Sequence, residues 1–175
     1  MKIGLCGTMS VGKTTLVNRL KELKQFKDFE FATERSKYLS DLGIPLNTDS
    51  TLKGQTVFLA ERVAELMKEN IITDRTIIDV IAFTNLARSI DFKDKEYFED
   101  YACLFVGEYD YIFYISPEGT IMEDNGVRET DAEYRMAIDS KIKSITQMFR
   151  GNVITIKGTT EERIEQVKNA IASYV

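Results

Sequence analysis

The chain has 175 residues, 43% of them hydrophobic, with a formal net charge of −5 and no histidine. That length and apolar fraction suit one compact domain over 1–175 with a full core. The missing histidine excludes Cys/His zinc sites and histidine-based nucleophilic mechanisms, and the acidic balance argues against nonspecific nucleic-acid binding. No apolar run reaches the roughly 18–20 residues of a membrane span. Cys6 and Cys103 stand alone, and the N-terminus reads as a strand rather than a signal peptide. The expectation is a cytoplasmic protein with no membrane partner, in which Cys6 is a small core residue.

Residues 2–6 read as a short buried strand that runs into GLCGTMSVGKTT, residues 4–15. Gly7, Gly12, Lys13 and Thr14 satisfy G-x-x-x-x-G-K-[ST], the P-loop pattern. A chance match is expected at about 3–4 in 100,000 per position, so the string is informative even in isolation. Leu16, Val17, Leu20 and Leu23 then recur at helical spacing, predicting a helix over 14–24. The loop Gly7, Thr8, Met9, Ser10, Val11, Gly12 turns successive backbone N–H groups and a helix N-terminus toward an anion. Lys13 would reach the outer phosphates of ATP and the Thr14 hydroxyl would ligate Mg²⁺. Thr15 either adds a hydroxyl one position deeper or packs the helix.

Further strands are expected at 29–33, 71–74, 111–116 and 153–157. Helical patterns lie over 52–69, 78–90, 131–148 and 160–173, the last opened by Thr160. Alternating strand and helix predicts an α/β fold, a parallel sheet with helices on both faces. Ligands of such sheets bind beyond the carboxyl ends of the strands. The third strand ends in Asp74, a candidate catalytic carboxylate that would hold Mg²⁺ or take a proton from an attacking hydroxyl. Its alternative is a helix cap, a role open equally to Thr76 and Asp79. Arg75 is placed to clamp an acceptor or a phosphate, or to form a surface ion pair. The second strand leads to Glu34 and Arg35 on the acceptor side, Glu34 as a substrate or metal-water ligand or as a solvated acid at a helix start.

The fourth strand leads into SPEGTIMEDNGVRETDAEYR, where Arg128 precedes and Arg135 follows a predicted helix start. Phosphoryl transfer needs cations that close over the phosphates and neutralise spreading negative charge. These arginines fit an arginine-bearing lid at about 117–137, or they pair with Glu129, Asp131 and Glu133. After the fifth strand, Lys157, Gly158 and Thr159 either line an adenine pocket through backbone groups or form an ordinary turn.

In the blocks GTMSVGKTTL, ATER, ITDRTIIDVIAFT and DNGVRETDAEYR the chain resembles the small P-loop kinases of nucleosides and nucleotides. The subgroup is that of the nicotinamide riboside kinase domain, with many phage-encoded members. The resemblance implies the three-layer P-loop NTPase fold, with five parallel strands in order 2-3-1-4-5. It also implies that Asp74 serves as base or magnesium anchor and that Arg128 and Arg135 hold phosphates. Relatives often carry Glu-x-x-Arg after the second strand, whereas here Lys37 follows Glu34-Arg35-Ser36. Some phage members resemble kinases of 5-hydroxymethyluracil within DNA, so DNA stays open as an acceptor beside a free nucleoside or nucleotide.

A GTPase switch would need D-x-x-G and N-K-x-D, and neither string occurs. A P-loop ATPase without kinase activity would normally take its arginine from a neighbour. The acceptor side should be built by residues 34–69, including Tyr38, Asn47, Gln55 and Phe58. Gln55 would read a base edge and Phe58 would stack on a ring, unless Phe58 is core. An acceptor already bearing phosphate would need a second basic clamp, for which Arg35, Lys37, Arg62 or Arg75 are available. The segment 97–105 offers aromatic surface for a dimer face or packs as a core helix, so monomer and homodimer both stay open.

Overall fold

A computed structural model describes residues 1–33, 35–118 and 132–172. Strands β1 (Lys2–Cys6), β2 (Glu30–Ala32), β3 (Ile71–Thr73), β4 (Tyr111–Ile115) and β5 (Val153–Ile156) form one sheet. They run parallel in the order β2-β3-β1-β4-β5, as expected for this fold class. The helices are α1 (Lys13–Lys21), α2 (Ser36–Asp41), α3 (Leu52–Glu65), α4 (Ile77–Leu86), α5 (Phe92–Val106), α6 (Ala132–Thr146) and α7 (Thr160–Ile171).

The central strands are apolar on both faces, and their alternation sorts the core into two layers. Ile3 and Leu5 of β1 and Phe113 and Ile115 of β4 pack with Leu16, Val17 and Leu20 of α1 and Ile164, Val167 and Ile171 of α7. Cys6, Ile112 and Tyr114 point the other way, into a larger cluster with α4, α5 and α6. Each fully buried aliphatic side chain contributes about 1.5–3 kcal/mol, so this double-sided burial is the main stabilising term. Cys6 is a core residue, and burial pushes its thiol pKa well above the ordinary value.

Several boundaries move. The edge strand β2 is three residues long, Glu30–Ala32, shorter at both ends than the 29–33 expected. Helix α7 is opened by Thr159 rather than Thr160: the Thr159 hydroxyl accepts from the Glu162 N–H, and Glu162 returns the bond to the Thr159 N–H at 2.7 Å. Helix α2 was not foreseen. In α5, Phe98, Ala102 and Val106 face the core, while Tyr97, Tyr101 and Leu104 are 62%, 58% and 72% exposed. The segment therefore both packs as a core helix and presents an apolar outer stripe. No helix among the described residues is long and apolar enough to cross a membrane.

Candidate active site

The sheet register explains why the functional side chains converge. Gly4 of β1 pairs with Thr73 of β3, and Thr73 pairs in turn with Ala32 of β2, so β2 and β3 end level while β1 runs two residues further, to Cys6. Asp74, one residue past β3, donates its N–H to the Ala32 carbonyl at 2.9 Å and is wholly buried. The P-loop leaves β1 at the same edge. Gly7 (φ 150°) and Gly12 (φ 88°) adopt conformations that favour glycine, and a Cβ on Gly7 would lie 2.8 Å from the Ile115 carbonyl oxygen. Ser10 also takes a positive φ, 56°.

Asp74 is not a helix cap. Thr76 and Asp79 form the capping box of α4, and the Asp74 carboxylate instead accepts a 2.5 Å hydrogen bond from the Thr14 hydroxyl. The two expected metal ligands therefore meet directly. Their donor set, a hydroxyl and one carboxylate, is the hard oxygen chemistry that suits Mg²⁺ shared with phosphate oxygens. Thr15 is exposed on α1.

Lys13 is 7% exposed and folds back on its own loop, donating to the Gly7 carbonyl and, at 2.8 Å, to the Thr8 carbonyl. Burial lowers its pKa, and Asp79, 3.9 Å away, opposes the shift. Asp79 does more than cap: its carboxylate also accepts from the Gly7 N–H at 3.2 Å, tying the start of α4 to the P-loop. The box spacing from Thr76 to Asp79 was legible as a cap, but the bond to Gly7, 72 residues away, had no local signal.

Arg135 in the first turn of α6 donates from Nε to the Met9 carbonyl at 3.1 Å, and its own carbonyl accepts from the Thr8 hydroxyl. Further along α6, the Tyr114 hydroxyl donates to Asp139 at 2.6 Å, pinning the helix to β4 and so holding Arg135 at the loop. Arg128 and Glu34, together with most of the expected lid, lie outside the described residues.

Lys157, Gly158 and Thr159 form the turn from β5 into α7. The Lys157 amide and carbonyl are both bonded to the Gln166 side chain, and the Thr159 amide to Glu162, so these backbone groups hold the turn together. The link from this region to the loop is Arg163, 6% exposed, whose guanidinium donates to the Val11 carbonyl at 2.7 Å. Nothing local marks Arg163 as a P-loop support, because its partner is 152 residues away. Replacing Arg163 with Met should leave that carbonyl unpaired and raise the KM for ATP about 10-fold, with partial recovery in Arg163→Lys. Steady-state kinetics with varied ATP check both.

Beside the P-loop lies a cleft enclosing about 750 Å³, part of it open to solvent. Arg35, Gln55, Phe58 and Arg75, four of the expected acceptor residues, all line it, as do Asn47 and Met9 of the loop. Gln55 is buried, and Phe58 both faces the cleft and packs on the core. Tyr38 does not line it; its ring lies under the Arg35 guanidinium, 4.5 Å from the centroid. The Arg75 guanidinium lies 5.0 Å from the centre of the Phe83 ring, a cation–π contact.

A family model described as "AAA domain" matches residues 2–163. The chain belongs to this family. No curated protein matches it. Among solved structures, the chain shares 21% identity and a TM-score of 0.67 with a deoxyadenosine kinase from M. mycoides bound to the products dCMP and dCDP, over 100% of both chains. The same kinase with dATP gives 20% identity and a TM-score of 0.67, over 98% of this chain and 100% of that one. The NadR protein in complex with NR gives 16% identity and a TM-score of 0.76, over 98% of this chain and 50% of NadR. The fold is thus the nucleoside-kinase-like P-loop fold.

Proposed function

We propose that the protein is an ATP-dependent phosphotransferase that moves the γ-phosphoryl group of Mg·ATP to a nucleoside or nucleoside monophosphate. The reading rests chiefly on one observation: the P-loop hydroxyl of Thr14 and the strand-end carboxylate of Asp74 meet at 2.5 Å, beside a cleft lined by the acceptor-side residues. The whole chain, 1–175, is read as one kinase domain, with residues 34–69 on the acceptor side and a lid at about 117–137.

In this mechanism the loop amides from Gly7 to Gly12 cradle the donor phosphates. Lys13 leaves the loop carbonyls and pairs with the outer phosphates. Thr14 and Asp74 would hold Mg²⁺, which would supply charge neutralisation to the donor phosphates. Asp74 also orients the acceptor, and Glu34 stands on the acceptor side as a substrate or metal-water ligand. Arg135, joined by Arg128, neutralises charge that develops on the transferred group. Gln55 reads the base edge, Phe58 flanks the ring, and Arg35 and Arg75 contact the acceptor. The adenine end of ATP lies toward Lys157, Gly158 and Thr159.

Incubation with γ-labelled ATP and a panel of nucleosides, monophosphates and single- and double-stranded DNA, hydroxymethylated uracil included, tests this. Label should move to a free nucleoside or nucleotide. Label on DNA alone would make the protein a DNA-modification kinase, and label released only as inorganic phosphate would make it an ATPase.

A further inference from the structure

We infer that the acceptor already carries a phosphate monoester, and that the cleft beside the P-loop is built for a nucleoside monophosphate rather than a nucleoside. The inference deepens the phosphotransfer reading above and rests on it.

The lining of the cleft is sorted by chemistry. Phe58, Val80 and Phe83 make an apolar wall of the kind that receives a flat ring. Arg35, Lys37, Arg62 and Arg75 also line the cleft, and no carboxylate does so among the described residues. In a chain with 28 acidic and 23 basic side chains, four cations without an acid on one concave surface is a strong local bias. A nucleoside has no charge to match it. A monoester dianion does, and guanidinium groups suit its oxygens as bidentate donors.

The neighbouring acids brace the arginines from outside the lining. Arg35 pairs with Glu61 at 3.2 Å, and Arg62 with Glu65 at 2.6 Å and more loosely with Glu61 at 3.8 Å. Lys37 faces Asp41 only at 3.9 Å, with both side chains exposed. Burial lifts the Glu65 pKa to about 7, which weakens this partner of Arg62 near neutral pH, and Glu61 is shared between Arg35 and Arg62. The buried Arg62 Nε–H and the Ser50 hydroxyl, both on residues lining the cleft, have no hydrogen-bond partner.

The cleft is continuous with the donor site. Met9 of the P-loop lines it, and Arg75, which also lines it, directly follows Asp74 in the chain. Transfer is then balanced without a base. A non-bridging oxygen of the acceptor phosphate attacks the γ-phosphorus. The bond from that phosphorus to the β–γ bridging oxygen breaks, and its electron pair leaves on ADP. The attacking oxygen is already deprotonated above about pH 6, so no proton has to be removed. The product is a nucleoside diphosphate.

Steady-state kinetics of the full chain with Mg·ATP, using the four deoxynucleosides and their matched 5′-monophosphates, test the proposal. The kcat/KM for the preferred monophosphate should exceed that of its nucleoside at least about 100-fold, with the diphosphate identified by chromatography. Arg35, about half exposed, can be changed with little risk to the fold. Arg35→Gln should raise the KM for the monophosphate about 10-fold and leave the KM for ATP within about twofold, with Arg35→Lys recovering part of the loss. Faster transfer to the nucleosides, or transfer to DNA oligonucleotides alone, would overturn the monophosphate assignment while keeping phosphotransfer. ATP hydrolysis without transfer to any acceptor would overturn both.

Discussion

Asp74→Asn is expected to lower turnover at least about 100-fold, the usual scale for losing one preorganised electrostatic group at the reacting phosphates, with the fold retained. The substitution keeps the shape of a wholly buried side chain but removes its charge. What is lost depends on the role of the carboxylate. With the proposed acceptor phosphate, already ionised, no base would be required, and Asp74 would act by holding Mg²⁺ together with the Thr14 hydroxyl, 2.5 Å away. The Mg²⁺ titration of the asparagine variant should therefore shift to higher concentrations and recover part of the rate. A loss that no amount of Mg²⁺ recovers, and that tracks with pH, would identify a general base and a hydroxyl acceptor. Turnover near wild type with intact ATP binding would remove Asp74 from the site altogether.

The parts of this fold that were legible in the sequence are those with a local cause. Strands β4 and β5 announce themselves through β-branched and aromatic runs, and the P-loop through glycines that its backbone conformations favour. Asp74 was legible because the end of a buried strand fixes where the next side chain emerges. Arg163, holding Val11, and Asp79, holding Gly7, were not legible as loop supports, since their partners are set by tertiary packing across the sheet. The acceptor cleft lies between these cases. Arg35, Gln55, Phe58, Arg62 and Arg75 could each be nominated from their positions, but only the packing of α3 and α4 beside the P-loop puts them on one surface. Their joint charge, which carries the monophosphate inference, is a property of that surface and of no single residue.

Lys13→Ala should abolish phosphoryl transfer while the protein still folds. The side chain is buried and its ammonium is satisfied by the Gly7 and Thr8 carbonyls. Removing it leaves two carbonyls to water or to the loop, a cost of about 1–3 kcal/mol that a domain of this size can absorb. Asp79, the nearest acid, keeps its bonds from Gly7 and Thr76 and so does not become an isolated buried charge. ATP binding suffers far more, because the amides of the loop then face the triphosphate without their mobile cation. Wild-type protein at ATP concentrations about 100 times Kd should gain about 2.7 kcal/mol of stability against unfolding, and the alanine variant almost none. Thermal melts with and without Mg·ATP separate this from a folding defect, since the ligand-free melts of the two proteins should be similar. A folded Lys13→Ala protein that transferred phosphate at the wild-type rate would mean that the loop holds something other than a nucleoside triphosphate.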